Sequence, residues 1–186
     1  KEIDAFELNI SCPNIEYKEK IIAQDEKLTF NLVREVRRKT RLPLIVKLSP
    51  NVEDVTKIAK AAQDAGADAI SLINTLLGMA INVKTRKSVL GNITGGLSGP
   101  AIKPIALRMV WQVHNKTTLP IIGMGGIMNE RDALEFIIAG ASAVAVGTAN
   151  FIDPEVTLKV IKGIEKYLLE YNFKDIKELT GSLNVG

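Results

Sequence analysis

Compact apolar runs, each bounded by polar, Gly or Pro residues, take turns along this chain with longer amphipathic segments. The runs cover residues 5–10, 42–48, 67–73, 119–123 and 143–146. They are apolar on both faces, which predicts parallel strands buried on both sides. The segments 26–39, 52–65, 101–115, 130–139 and 154–171 carry helical periodicity. The second of these has Ser49 or Asn51 as its expected N-cap and Gly66 just past its end. Serial βα units close as a (β/α)₈ barrel or open as a doubly wound sheet. No G-x-G-x-x-G follows the first strand, as a dinucleotide-binding sheet would want. The Gly-rich turns come instead after late strands, where barrels place phosphate. The pattern predicts an α/β chain that is the C-terminal portion of a (β/α)₈ TIM barrel. It holds about five of the eight units that a barrel needs over roughly 250 residues.

One stretch breaks the alternation. "AINVKTRKSVLGNITGG", residues 80–96, alternates around a turn at Lys84 to Lys87 and reads as an antiparallel hairpin inserted after a strand. Such an insertion belongs to a functional face.

Composition bounds the rest. The 186 residues contain no linker or low-complexity tract, so one domain over 1–186 is expected. The first residues, Lys1 to Asp4, run straight into a strand, so the chain is expected to begin in mid-fold with the N-terminal strands missing. Lys and Arg number 24 against 21 Asp and Glu, an interspersed excess of +3 that points to no nucleic acid and no membrane surface. No apolar stretch approaches the ~18 residues of a membrane span. The basic cluster Arg34, Arg37, Arg38, Lys39 and Arg41 reads as a solvated helix end. One cysteine forms no internal disulfide, and with a single histidine it builds no zinc site of the usual ligand set. A cytoplasmic location and no metal are expected. His114 and Trp111 are placed on a helix surface, without a catalytic role.

Two segments carry chemistry. "GMGGI" (123–127) and "GTANF" (147–151) each end an apolar strand. A phosphate needs backbone N–H groups converging at close range, and glycine permits that approach, so the pair reads as a phosphate grip. "NISCPN", residues 9–14, follows the first strand. It puts a thiol at a strand's C-terminal end, in a turn held by Pro13 and flanked by amides able to orient a planar polar substrate. That position makes Cys12 a candidate catalytic residue.

Together "ELNISCPN", "VKLSPNV", "INT", "NITGGLSGPAIKP", "IIGMGGI" and "ASAVAVGTANF" resemble the class 1 dihydroorotate dehydrogenases, most closely the class 1B FMN-containing catalytic subunit. The likeness runs over the whole chain in the right order. It implies an FMN-dependent barrel oxidoreductase that oxidises dihydroorotate to orotate in de novo pyrimidine biosynthesis. Cys12 then matches the catalytic base. Asn9, Asn14, Asn74 and Thr75 match positions that hydrogen-bond the pyrimidine. Lys47 matches a lysine beside the flavin ring and Ile73 packs at the flavin. Gly99, Gly125, Gly126, Gly147 and Thr148 match the shell of the FMN ribityl phosphate. The same likeness implies a homodimer of the catalytic subunit with an electron-transfer subunit that carries FAD and a [2Fe-2S] cluster and passes electrons to NAD⁺. The cluster cannot sit on this chain, which has one cysteine.

The residue types suit that chemistry. Forming the ring double bond removes a proton from one carbon and a hydride from its neighbour, so a base must face one side of the substrate and a hydride acceptor the other. An unperturbed thiol, pKa ~8.5, is close enough to neutrality to serve. An ammonium at Lys47 would stabilise negative charge on a reduced flavin. The alternatives are a dihydropyrimidine dehydrogenase-like barrel, an IMP dehydrogenase-like barrel whose cysteine attacks the base covalently without a flavin, and an inactive truncated fragment.

Overall fold

The computed structural model describes residues 3–11, 16–17 and 20–186. Five parallel strands lie side by side in chain order. They are β1 (Phe6–Asn9), β2 (Leu44–Lys47), β3 (Ala69–Leu72), β4 (Ile121–Met124) and β5 (Ala143–Ala145). The helices are α1 (Glu26–Arg37), α2 (Val55–Asp64), α3 (Lys103–His114), α4 (Glu130–Ile138) and α5 (Val156–Glu170). Right-handed crossovers between neighbouring parallel strands put the helices on one face, and each helix packs on the next. A doubly wound sheet would reverse its strand order at one point and divide its helices between two faces. The described residues do neither.

Alternation along the strands sorts the side chains. Leu44, Val46, Ile70, Leu72 and Ile121 lie buried in one cluster with Val33, Ile58, Val110 and Phe136 of the helices. Each such side chain contributes about 1.5–3 kcal/mol through removal from water. Gly123 lies on the same face, where a Cβ would stand 2.7 Å from Phe136 Cδ1. Without a side chain there, the Phe136 ring settles directly on β4. The opposite face carries an in-register row across all five strands, Asn9, Lys47, Ser71, Ile122 and Ala143. On it the Ser71 hydroxyl donates to Glu7 Oε2 at 2.9 Å. That bond ties β1 to β3 over the intervening strand.

Several expectations need correction. Helix α2 is capped by neither Ser49 nor Asn51. Asp54 takes the extended cap conformation, and its carboxylate accepts from the Thr56 amide at 2.9 Å. Asn51 is engaged elsewhere, donating to the Thr75 carbonyl at 3.0 Å and accepting from the Leu77 amide at 3.0 Å. Strand β4 starts at Ile121 rather than 119, since Pro120 has no N–H to give the ladder. Helix α3 is preceded by a 3₁₀ turn over Pro100–Ile102. The inserted hairpin is longer than 80–96: Leu76–Met79 pairs antiparallel with Thr94–Leu97, and Ile81–Asn82 with Lys87–Ser88 beyond it. Its turn closes where Asn82 Oδ1 accepts from the amides of Lys84 and Thr85 at 3.0 and 3.1 Å.

Two side chains placed in solvent are engaged as well. Arg37 pairs with Asp68 at 2.6 Å and donates to the carbonyls of Thr40 and Leu42 at 2.8 and 2.7 Å, so it organises the α1–β2 turn. His114 is wedged between Gly140 and Gly181, and a Cβ on either glycine would collide with its imidazole. The C-terminal segment is held there, with Leu179 buried against Leu134 and Ile137 and the Gly181 amide donating to the Ile137 carbonyl at 3.1 Å.

Candidate functional site

The carboxyl ends of β2 to β5 open onto a cavity of about 250 Å³. Ligands of parallel α/β sheets bind at this end, where the strands stop and the turns supply unpaired backbone groups. Lys47, Ile73, Asn74 and Thr75 line one side. Gly99, Gly125, Gly126, Gly147 and Thr148 line the other. Residues predicted from motifs more than 100 positions apart are thus brought into one hollow. A larger cleft of about 730 Å³ lies between α1 and α2, lined mostly by lysines and carboxylates of the outer surface. It has no glycine turn and no strand end.

Asn9 stands outside this lining but is joined to it through Ser11. Ser11 is 2% exposed. Its hydroxyl donates to Asn9 Oδ1 at 2.5 Å, and its amide donates to the same oxygen at 3.1 Å. Asn74 Nδ2 donates to Ser11 Oγ at 2.8 Å, while Asn74 Oδ1 accepts from the Thr75 amide at 2.8 Å. With its carbonyl oxygen committed to Ser11, Asn9 keeps its NH₂ as the group to offer a ligand. Cys12 and Asn14 lie outside the described residues.

Lys47 is half-buried at the end of β2, directly between Asn9 and Ser71 in the row across the sheet. It shares the lining of the cavity with Ile73, Asn74 and Met124.

The glycine side of the cavity is a cradle that side chains would fill. Gly126 has φ +80°, and a Cβ on it would lie 2.7 Å from the Gly99 carbonyl oxygen and 2.9 Å from the Lys103 amide nitrogen. The Gly125–Gly126 turn therefore touches the backbone at the start of α3. This brings the positive dipole end of α3 against the cavity wall. Across the hollow, Thr148 Oγ1 donates to Ser98 Oγ at 2.9 Å, and Asn150 Nδ2 holds the Val146 carbonyl at 2.7 Å under the Gly147 turn. A lining of glycine turns, two hydroxyls and one ammonium suits an anionic ligand such as a phosphate-bearing cofactor.

Three contributors were absent from the residues named on sequence. Ser11 stands inside "NISCPN" and Ser98 inside "LSGP", so both were in view but lacked a signal separating them from turn residues. Asn51 was assigned to a helix cap, and only the fold brings it to the Thr75 loop.

Similarity to known proteins agrees with this geometry. The family profile described as Dihydroorotate dehydrogenase matches residues 1–168. A protein of Desulforamulus reducens named "Dihydroorotate dehydrogenase B (NAD(+)), catalytic subunit" is 57% identical over 183 residues, 98% of this chain and 60% of its own length. One of the same name from Alkaliphilus metalliredigens is 57% identical over 182 residues, again 98% of this chain and 60% of the relative. A third, from Bacteroides thetaiotaomicron, is 54% identical over 184 residues, 99% of this chain and 61% of the relative. The chain thus spans about 60% of the length of these relatives. Both the strand-end cavity and a match through all five strands lead to one assignment: the chain belongs to the dihydroorotate dehydrogenase family.

Proposed function

We propose that this chain is the FMN-binding part of a class 1B dihydroorotate dehydrogenase, which oxidises dihydroorotate to orotate in pyrimidine biosynthesis. The observation that carries the reading is the cavity itself, whose lining brings Lys47 together with the glycine turns at 99, 125–126 and 147. The five strands form an arc of a (β/α)₈ barrel, which residues beyond this chain would complete in the single domain. Their chain-order arrangement and one-sided helices support the arc. Bound FMN supplies the hydride acceptor.

The chain's own residues do the rest. The backbone N–H groups at Gly99, Gly125, Gly126, Gly147 and Thr148 would hold the phosphate. Ile73 packs on the ring system and excludes water from one side. Lys47 places a positive charge where reduction leaves a negative one, which favours the reduced state in a site of low polarity. Asn9, Asn14, Asn74 and Thr75 orient the pyrimidine, with Ser11 holding two of those amides in place. Cys12, in its thiolate form, takes the ring proton. Membership of the family favours this over the IMP dehydrogenase-like reading, in which no flavin takes part.

The partner is an electron-transfer subunit bearing FAD and a [2Fe-2S] cluster, with NAD⁺ as final acceptor; the words "NAD(+)" and "catalytic subunit" in the relatives' names support it. A homodimer of the catalytic subunit is supported by Ile81, Val83, Val89 and Ile93, apolar side chains that the hairpin leaves exposed. Among the described residues no helix is long and apolar enough to cross a membrane, and we place the protein in the cytoplasm.

The test is anaerobic mixing of the full-length flavoprotein with dihydroorotate. The flavin absorbance should bleach with stoichiometric formation of orotate. Cys12→Ala should slow that bleaching by roughly 10²–10⁴, the usual worth of a positioned base, with orotate affinity nearly unchanged. A protein without flavin, or one that dihydroorotate does not reduce, would overturn the proposal.

A further inference from the structure

Two of the turns assigned to the phosphate cradle are distant in sequence, the Gly99 turn before α3 and the Gly125–Gly126 turn after β4. A cradle of this kind works only if its N–H groups keep a common focus, and neither turn contains a hydrogen bond that fixes it to the other. What spans them is a cluster of charges just behind the cavity wall. Lys103, the first residue of α3, reaches Asp132 Oδ1 at 2.5 Å and Glu135 Oε2 at 2.8 Å. The other oxygen of Asp132 accepts from the Met128 amide at 2.8 Å, at the far end of the Gly125–Gly126 turn. One carboxylate therefore grips the start of α3 with one oxygen and the β4–α4 turn with the other. Its own position is fixed by the α4 N-cap, since the Asp132 amide donates to Asn129 Oδ1 at 2.9 Å. The side chains of Lys103 and Asp132 are 23% and 11% exposed. Charge-assisted bonds at such depth are less screened than surface pairs.

We propose that Lys103 and Asp132 are positioning residues, a clasp that sets the spacing of the two phosphate-binding turns and thereby selects a phosphorylated flavin over its unphosphorylated form. Lys103 itself does not bind the phosphate, because two carboxylates already claim its ammonium. Hydrogen bonds from Asp132 first, and from Glu135 next, push its pKa above the usual lysine value and keep it charged. The inference rests on the proposed assignment of the cradle to FMN phosphate.

The experiment compares affinities of the full-length apoprotein for FMN and for riboflavin, by flavin fluorescence quenching, in the wild type, Lys103→Met and Asp132→Asn. The asparagine keeps an acceptor for the Met128 amide but removes the charge and turns an NH₂ in place of an oxygen toward Lys103. Loosening the clasp should raise the FMN dissociation constant by about tenfold, since phosphate contacts depend on sub-ångström convergence. Riboflavin affinity should stay within about twofold. Combining the two substitutions should add little to either alone, as expected for members of one pair. Wild-type FMN affinity in both variants would overturn the clasp while leaving the FMN assignment standing, and an equal loss for FMN and riboflavin would do the same. If Asp132→Asn fails to fold, Lys103→Met, which keeps most of the side-chain stem, decides. A wild-type apoprotein that binds neither flavin would overturn the cradle assignment, and the clasp's role with it.

Discussion

Gly126→Ala tests whether the contact between the β4 turn and α3 is as close as described. The substitution carries two costs. At φ +80° an L-residue is disfavoured by roughly 1–2 kcal/mol. The new Cβ would also stand 2.7 Å from the Gly99 carbonyl oxygen and 2.9 Å from the Lys103 amide, backbone atoms of another element that cannot rotate away. Overpacking of this kind costs about 1–3 kcal/mol more. A loss of about 2–5 kcal/mol is therefore expected, which for a domain of this size lowers the melting temperature by roughly 5–15 °C. Scanning calorimetry of the full-length protein measures it. Gly147→Ala is the internal control: a Cβ there meets nothing within 4 Å, so stability should change by less than about 1 kcal/mol. Equal melting temperatures for Gly126→Ala and the wild type would refute the close approach, and with it the account of why this turn is glycine.

Two further outcomes follow from individual side chains. Lys47→Met should lower the midpoint potential of bound flavin by about 20–60 mV, the equivalent of about 1–3 kcal/mol of lost charge stabilisation; an unchanged or raised midpoint in anaerobic potentiometry would remove Lys47 from the flavin. Asp54→Ala should cost about 1 kcal/mol at pH 7 as the α2 cap is lost. Because the Thr56 hydroxyl and amide hold the Asp54 carboxyl below its ordinary value of 3.8, the cap's contribution is present above that pH and fades as pH falls through the lower folded value. Urea denaturation should therefore show the gap between variant and wild type narrowing from pH 7 to pH 3, and a constant gap would show that the carboxylate charge has no part in the cap.

The order and parallel sense of β1 to β5 were legible because apolar runs such as "LPLIVKLS" alternate with helical segments in serial βα units, but their burial on both sides was not, since β1 is mostly exposed. Gly126 was legible because no other residue suits a turn where backbone meets backbone. Caps were less so. Ser49, Asn51 and Asp54 are all competent caps within six residues, and the choice among them depends on where Thr75 lies in space. Arg37 and His114 were misplaced because their partners, Asp68 in one case and Gly140 with Gly181 in the other, are distant in sequence. Asp132 reads as an ordinary acidic residue in the first turn of a helix, and its grip on Lys103 depends on how α3 and α4 pack.

The wedging of His114 between two glycines has a consequence for how this sequence can drift. One imidazole closes the last turn of α3 against both the α4–β5 turn and the C-terminal segment, and its ring occupies the space that a side chain at Gly140 or Gly181 would need. The three positions are therefore not independent sites of variation. A smaller residue at 114 opens room at both glycines at once, yet Gly140 at φ +120° and Gly181 at φ +72° would still strain any larger residue, so the freed space cannot be filled from those positions without cost. Related chains should thus keep both glycines even where position 114 has become smaller. A bulky substitution at Gly181 in the present background should release the C-terminal segment from α4 before it disturbs the sheet.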